Sequence, residues 1–405
     1  MTKTTQHFNI LEWIGLFLLI GFSIYAWKIP SVEIPVYKPI CIVVFCIVVF
    51  YVFATKENRF IYSPLQVTYI CWGLVLTWGI ILIPFTFQLG VNMDSITYIM
   101  AFIAMAGVFS YYSIIDGGIQ RLLLCYIILS GAIGILGWYE AITGNIINIT
   151  PGSYYYKTNF LGLHYPNTIF YNINDNAVFM TMSLFIAWLY TYQLKHRVWI
   201  RIVALIVYGG NIVLVDSRGA LLAMVAFFII QTLETKNAKK ILPLVLVLGV
   251  GLIAFSNVSL FAEGMKETGR SLIWENTINN IKSSSFLGVG AGNIVYANRL
   301  SLISPVADVH NFFLELLADY GFIGFFSVIL WYCILLVICL KGNRLYPECR
   351  MIFNILICFL PLSIVSSSLI GKSWTICFFS ILISYLNYIQ YQAKKIGLVG
   401  KERCD

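Results

Sequence analysis

Residues 309–340 read VHNFFLELLADYGFIGFFSVILWYCILLVICL. The run carries two carboxylates, Glu315 and Asp319, both near its start, and no charge from Tyr320 to Leu340. About 20 consecutive apolar residues cross a bilayer as a helix, so this stretch alone points to lipid as the solvent. Composition agrees. The 405 residues include 26 basic and 18 acidic side chains, 11% of the total, against 60% apolar types, and the mean hydropathy is +0.84. A soluble domain is typically about a quarter charged. An ordinary cytosolic enzyme, a disordered tail and a nucleic-acid-binding module are therefore excluded.

Outward from 309–340, apolar runs interrupted by charge or by Pro, Gly and Asn predict twelve spans. They fall at 10–27, 36–54, 64–87, 94–115, 119–143, 173–193, 198–216, 219–233, 240–256, 309–340, 351–370 and 373–392. The expected fold is all-α: one polytopic membrane domain over 1–405, with two long connections, 144–172 and 257–308. The basic residues orient it. With the N-terminus inside, 17 of the 26 Lys and Arg fall on the cytoplasmic side. Of the other nine, four lie in 257–308, a loop long enough for the rule to weaken. Both termini are then cytoplasmic and both long loops face out. The first run, Ile10 to Trp27, has no small-residue cleavage site after it and reads as a retained helix.

The ten cysteines form no CxxC pair and no metal spacing, and most sit in apolar runs as small hydrophobes. The first long loop is rich in aromatics: Tyr154, Tyr155, Tyr156, Phe160, Tyr165, Phe170 and Tyr171. An interfacial belt and a platform for sugar rings are both open readings. The second long loop has apolar residues at helical spacing (Leu272, Ile273, Trp274, Ile278, Ile281) and predicts short helices.

Once topology absorbs most charges, those at loop–helix junctions on the outer side carry the chemistry. Arg218, in the turn Val215-Asp-Ser-Arg-Gly-Ala220, reads either as a local pair with Asp216 or as an anion site at a helix start. Arg270 precedes an amphipathic stretch leading into Phe286-Leu-Gly-Val-Gly-Ala-Gly-Asn293, where glycine density permits close approach of a ligand to the backbone. His310 is followed by Asn311, Glu315 and Asp319. An outward imidazole there is a candidate general base near neutral pH. Asp175, flanked by Asn174 and Asn176, reads as a helix cap or a substrate contact. Arg299 and Lys372 either snorkel or widen an anion site.

The ordered set Asn172-Ile-Asn-Asp-Asn-Ala177, Asp216-Ser-Arg-Gly-Ala220, Arg270 with Trp274, Gly288-Val-Gly-Ala-Gly-Asn293, His310-Asn311 and Gly321 resembles the O-antigen ligase and polysaccharide polymerase superfamily. Ile173-Asn174 stands where the family often has Pro-Asn. The resemblance implies a GT-C-like membrane glycosyltransferase that needs no metal or other cofactor and works at the outer face of the bacterial cytoplasmic membrane. Donor and acceptor would be undecaprenyl-diphosphate-linked oligosaccharides. Arg218 and Arg270 would bind the diphosphate and His310 would act as base, with Arg299, Asp175, Asn311 and Glu315 lining the substrate. Membrane lipids and a chain-length regulator are the implied partners, and nucleic acid is not among them. Polymerase, making O-antigen, capsule or exopolysaccharide, is the first reading. A ligase moving finished glycan to lipid A-core is the second. A flippase or transporter is the third, disfavoured because the unusual polar residues sit at loop–helix junctions instead of mid-span.

Overall fold

The computed structural model describes residues 13, 16–21, 43, 46, 62–86, 88–146, 158–159, 161–170, 172–192, 197–234, 270–301, 308–365 and 371–397. Regular structure among them is helical, apart from an isolated bridge between Thr158 and His164. Eleven long or short helices are labelled here: α1 Ser63–Ile81, α2 Leu89–Ser113, α3 Gly118–Thr143, α4 Ile173–Thr191, α5, α6 Arg218–Leu233, α7 Arg270–Ser283, α8 Ile294–Ser301, α9 Phe312–Gly342, α10 Pro347–Leu362 and α11 Ser373–Lys395. Helix α5 runs Arg197–Ala204, widens to a π turn at Leu205–Gly209 and continues as Gly210–Val215.

The ends follow from local chemistry. Pro64 and Pro347 open α1 and α10, where a missing N–H leaves no intrahelical bond unmade. Gly117 and Gly144 bracket α3 in the left-handed conformation that side chains resist. Asp216 takes that same conformation and separates α5 from α6.

The largest pairings join α2 to α11, α1 to α9 and α6 to α10, while α3 and α5 both pack on α4. Helices α4 and α11 are buried at nearly every position, as expected of elements surrounded by others. At the centre, Trp72 of α1, Phe102 of α2, Trp331 of α9 and Phe379 of α11 meet edge to face, with centroids 4.8 to 5.9 Å apart. Trp331 donates its indole N–H to Thr68 Oγ1 at 3.0 Å, which satisfies the one polar atom such a ring brings inside. The outward faces expose aliphatic and aromatic side chains such as Ile70, Ile135, Val203 and Phe326. A bilayer solvates such a surface and water does not.

Five described helices are long and apolar enough to cross a membrane: α1, α2, α3, α5 from Val198, and α9. The protein is a helical, multi-pass membrane protein. Helices α4, α6, α10 and α11 lie where spans were expected but are shorter or less apolar than those five. The stretch expected to span 351–370 ends its helix at Leu362, after Pro361. That expected at 309–340 begins only at Phe312, because His310 is non-helical and Asn311 is the cap. Spans expected at 10–27 and 36–54 are described only at residues 13, 16–21, 43 and 46, all helical. That at 240–256 lies outside the described residues. The described part of 257–308 forms α7 and α8, the short helices its spacing predicts.

Candidate functional site

One end of the bundle gathers the starts of α4, α6, α9 and α11 with the end of α10. At the start of α4 Asn172, Asp175 and Asn176 of the stretch Asn172-Ile-Asn-Asp-Asn each have a separate task. Asn172 is the cap, its side chain accepting from Asn174 N at 2.9 Å. Asn176 donates to Pro166 O at 3.0 Å and so holds the first long loop. Asp175 is not the cap. It lies buried and accepts from Lys372 Nζ at 2.8 Å. Burial alone would pull the Lys372 ammonium down, but Asp175, the hydrogen bond between them and nearby Asp308 outweigh it and hold its pKa above the usual value. Lys372 thus stays charged, partly open to the surface and two residues in sequence from α11's Trp374.

The first long loop is pinned from below. Glu140, fully buried at the end of α3, accepts from Asn167 N at 2.9 Å and Thr168 N at 2.6 Å. Asn159 donates to Leu214 O at 3.0 Å, near the α5–α6 turn. Phe170 packs between Phe179 and Trp374, as part of the core and not of a sugar platform. Tyr154, Tyr155, Tyr156, Phe160 and Tyr171 lie outside the described residues.

Arg218 is exposed at the first position of α6. Burial outweighs the opposing pull of Arg218 and raises the neighbouring Asp216 carboxyl to about 6. Gly219 meets the end of α10: a Cβ there would lie 2.2 Å from Val365 Cγ2. The same α10 end reaches His310's segment, because Ser363 O accepts from Phe312 N at 2.9 Å. Arg218 and His310 thus flank one short turn, 361–365.

His310 is 9% exposed and sits at φ 50, the left-handed region. For a residue with a side chain that conformation costs roughly 1–2 kcal/mol, so the surroundings must enforce it. Three contacts do. Trp274 Nε1 donates to Val309 O at 2.8 Å, Phe312 N is taken by Ser363, and Asn311 Oδ1 caps α9 by accepting from Leu314 N at 3.1 Å. Beneath this segment an apolar cavity of about 30 Å³, lined by Tyr98, Phe312, Trp331 and Thr375, has room for a water but not for a lipid chain.

The glycine-rich loop departs from expectation. Its glycines admit other parts of the chain: backbone of α9 at Gly288, and the Thr86 and Ser95 side chains at Gly290 and Gly292. Helix α9 is broken at Gly321 (φ 60, ψ −162), which frees carbonyls for other donors. Val289 N takes Ala318 O at 2.9 Å, Gly290 N takes Asp319 O at 3.0 Å, and Phe322 N gives to Phe286 O at 3.0 Å. A Cβ on Gly288 would lie 2.6 Å from Asp319 O and 2.7 Å from Gly321 N. Asp319 accepts from Ile294 N at 2.8 Å and from the Gly292 and Asn293 amides, capping α8. Asn293 closes the loop onto α2, accepting from Gln88 N at 2.8 Å.

The structure therefore brings Arg218, Asp175 and His310–Asn311 to one end of the bundle. Arg270 occupies the first position of α7, one turn before Trp274. Glu315 is buried on the first turn of α9, close enough to Asp319 for their charges to interact. Arg299 is exposed in the last turn of α8 and makes no ion pair among the described residues. The partners of Lys372 and Trp274, Asp175 and the Val309 carbonyl, are what the sequence did not give. Lys372 is 197 positions from its partner, a separation no local spacing reveals. Among the described residues no group of three or more His, Cys, Asp or Glu converges as metal ligands would.

Comparison with known proteins bears on this arrangement. Residues 203–329 match the family described as O-antigen ligase, a stretch that holds Arg218, Arg270, Arg299, His310, Asn311 and Glu315 but not Asp175. The chain is 24% identical over 337 residues to the teichuronic acid biosynthesis protein TuaE of Bacillus subtilis (strain 168). That alignment covers 72% of this chain and 66% of the relative, slightly under two thirds of its length. The relation to the O-antigen ligase and polysaccharide polymerase superfamily, suggested by the ordered motifs, is supported by both.

Proposed function

With kinship to polysaccharide-building membrane proteins as premise, we propose that the protein is a glycosyltransferase that joins undecaprenyl-diphosphate-linked oligosaccharide repeat units into an envelope polysaccharide at the outer face of the cytoplasmic membrane. The observation that supports this reading is that the segments carrying His310 and Arg218, both inside the region matching the O-antigen ligase family, meet the same 361–365 turn through Phe312 and Gly219.

In the proposed reaction an acceptor hydroxyl loses its proton to His310 as its oxygen attacks the anomeric carbon of the donor glycan. The bond from that carbon to the diphosphate oxygen breaks, and the carrier diphosphate leaves with the electron pair. Arg218 and Arg270 hold the growing negative charge, the kind of fixed electrostatic support that acts most strongly in the transition state. In this scheme two guanidiniums serve where other transferases use a divalent ion. Lys372, kept charged by Asp175, adds a third cation beside the base. In this scheme the carrier's isoprenoid tail lies against the lipid-facing helices.

A ligase acting on a finished glycan is the second reading, favoured by the description of the matching family. Polymerase is preferred because the relative, aligned over 66% of its length, is named for teichuronic acid biosynthesis and not for ligation. Deleting the gene and analysing the lipid-linked glycans separates the two. Accumulation of single repeat units supports the polymerase. Full-length chains stranded on the carrier lipid refute it in favour of the ligase, and units trapped facing the cytoplasm refute both in favour of a flippase.

A further inference from the structure

We propose that Trp274 is a positioning residue for His310, and that α7 links the grip on the leaving group to the placement of the base. The inference rests on the reading of His310 as the base. Its structural ground is separate from that reading.

The two peptide groups that flank His310-Asn311 are held by different elements. On one side Trp274 Nε1 of α7 donates to Val309 O at 2.8 Å, and on the other Phe312 N donates to Ser363 O of the α10 end at 2.9 Å. Between them His310 stands in the left-handed region, which relaxes once either anchor is released. Val309 is buried, so without the indole N–H its carbonyl has to find another donor or move.

Helix α7 is itself fixed. Asn298 of α8 accepts from Asn276 and Asn280 at 2.8 and 3.1 Å and donates to Thr277 Oγ1 at 3.0 Å. Helix α8 is in turn capped by Asp319 of α9. Trp274 packs in the small apolar cluster of Val289, Ile294, Val309 and Ala318 that these contacts enclose. Arg270 begins the same helix about one turn earlier, at i−4 from Trp274. A donor diphosphate drawn to Arg270 therefore loads the arm whose indole sets the His310 peptide. Grip and base act as one rigid unit, and a displacement of about 1 Å in such a unit lowers the rate by about a hundredfold.

The test compares wild type with Trp274→Phe and with Trp274 replaced by 3-benzothienylalanine, which keeps the bicyclic ring and exchanges the N–H for sulfur. Two readouts are taken on detergent-purified protein. The first, without substrate, is the rate at which diethyl pyrocarbonate modifies His310 relative to His164, followed by mass spectrometry. The second is kcat and KM with lipid-linked repeat units. The inference predicts an altered His310 to His164 ratio in both variants, and kcat lowered by about tenfold or more at unchanged KM and unchanged melting temperature in the sulfur variant. An unaltered ratio overturns it. So does a loss of kcat that is matched by a fall in melting temperature. If the wild type makes no polymer, the proposed function fails, and the modification ratio still decides the role of Trp274.

Discussion

Replacing Gly288 by alanine tests the claim that the glycine-rich loop is a splice onto the broken α9. The new Cβ would lie 2.6 Å from Asp319 O, 2.7 Å from Gly321 N and 2.9 Å from Tyr320 C. All three are backbone atoms, so no side-chain rotation relieves the overlap and the loop must retreat. Retreat breaks Val289 N to Ala318 O and Gly290 N to Asp319 O, each worth about 0.5–1.5 kcal/mol. The residue also stands at φ +101, where any Cβ adds about 1–3 kcal/mol of strain. The sum is about 2–6 kcal/mol. At roughly 1.2 °C per kcal/mol for a chain of this length, the melting temperature falls by about 2–7 °C. Gly90→Ala supplies the control: it is exposed in the first turn of α2 with no atom within 4 Å of its Cβ position, and alanine is the better helix former by about 1 kcal/mol. Fluorescence-detected thermal unfolding of the purified protein measures both. Gly288→Ala within about 1 °C of wild type, or Gly90→Ala falling equally, refutes the reasoning.

Three further outcomes are expected. Lys372→Met removes the cation from the buried Asp175 carboxylate and destabilises by about 3–5 kcal/mol, whereas Lys372→Met with Asp175→Asn is more stable than Lys372→Met alone; equal melting temperatures for the two would show that the pair does not couple. Asp216, with its carboxyl raised to about 6, takes up a proton below that pH and ceases to neutralise Arg218. In a His310→Ala background donor Kd therefore falls about fivefold between about pH 7.5 and about pH 5, and Asp216→Asn removes the dependence; a pH-dependent Kd in Asp216→Asn would assign the effect elsewhere. Asn172→Ala removes the α4 cap and lowers stability by about 1 kcal/mol, read in the same thermal assay.

Much of the frame was legible in the sequence because hydropathy and punctuation are local properties. The uncharged run 320–340 forms the membrane-crossing part of α9, and the spacing of Ile273, Trp274, Ile278 and Ile281 foretells α7. The break in α9 was not legible. Gly321 lies in a run that reads as continuous helix, and only the loop from Phe286 to Gly290, brought against it by the fold, uses the carbonyls the break frees. Glycine in a sequence says that something comes close. Whether a ligand or another part of the chain does so is a tertiary matter. The same limit applied to Asp175, whose sequence neighbours suggest a cap while Asn172 does the capping and Lys372 claims the carboxylate. Nothing local in the sequence relates Arg218 to His310, since the turn that their segments share, 361–365, bears no charge.

The central claim is that His310 takes a proton during glycosyl transfer from a diphosphate-linked donor. Its most direct measurement uses purified protein in liposomes, given undecaprenyl-diphosphate-linked repeat units and a chelator, with products resolved by length. The account predicts a ladder of polymer and released undecaprenyl diphosphate for wild type, and neither for His310→Ala at equal protein level and melting temperature. Polymer of wild-type length from His310→Ala would contradict it.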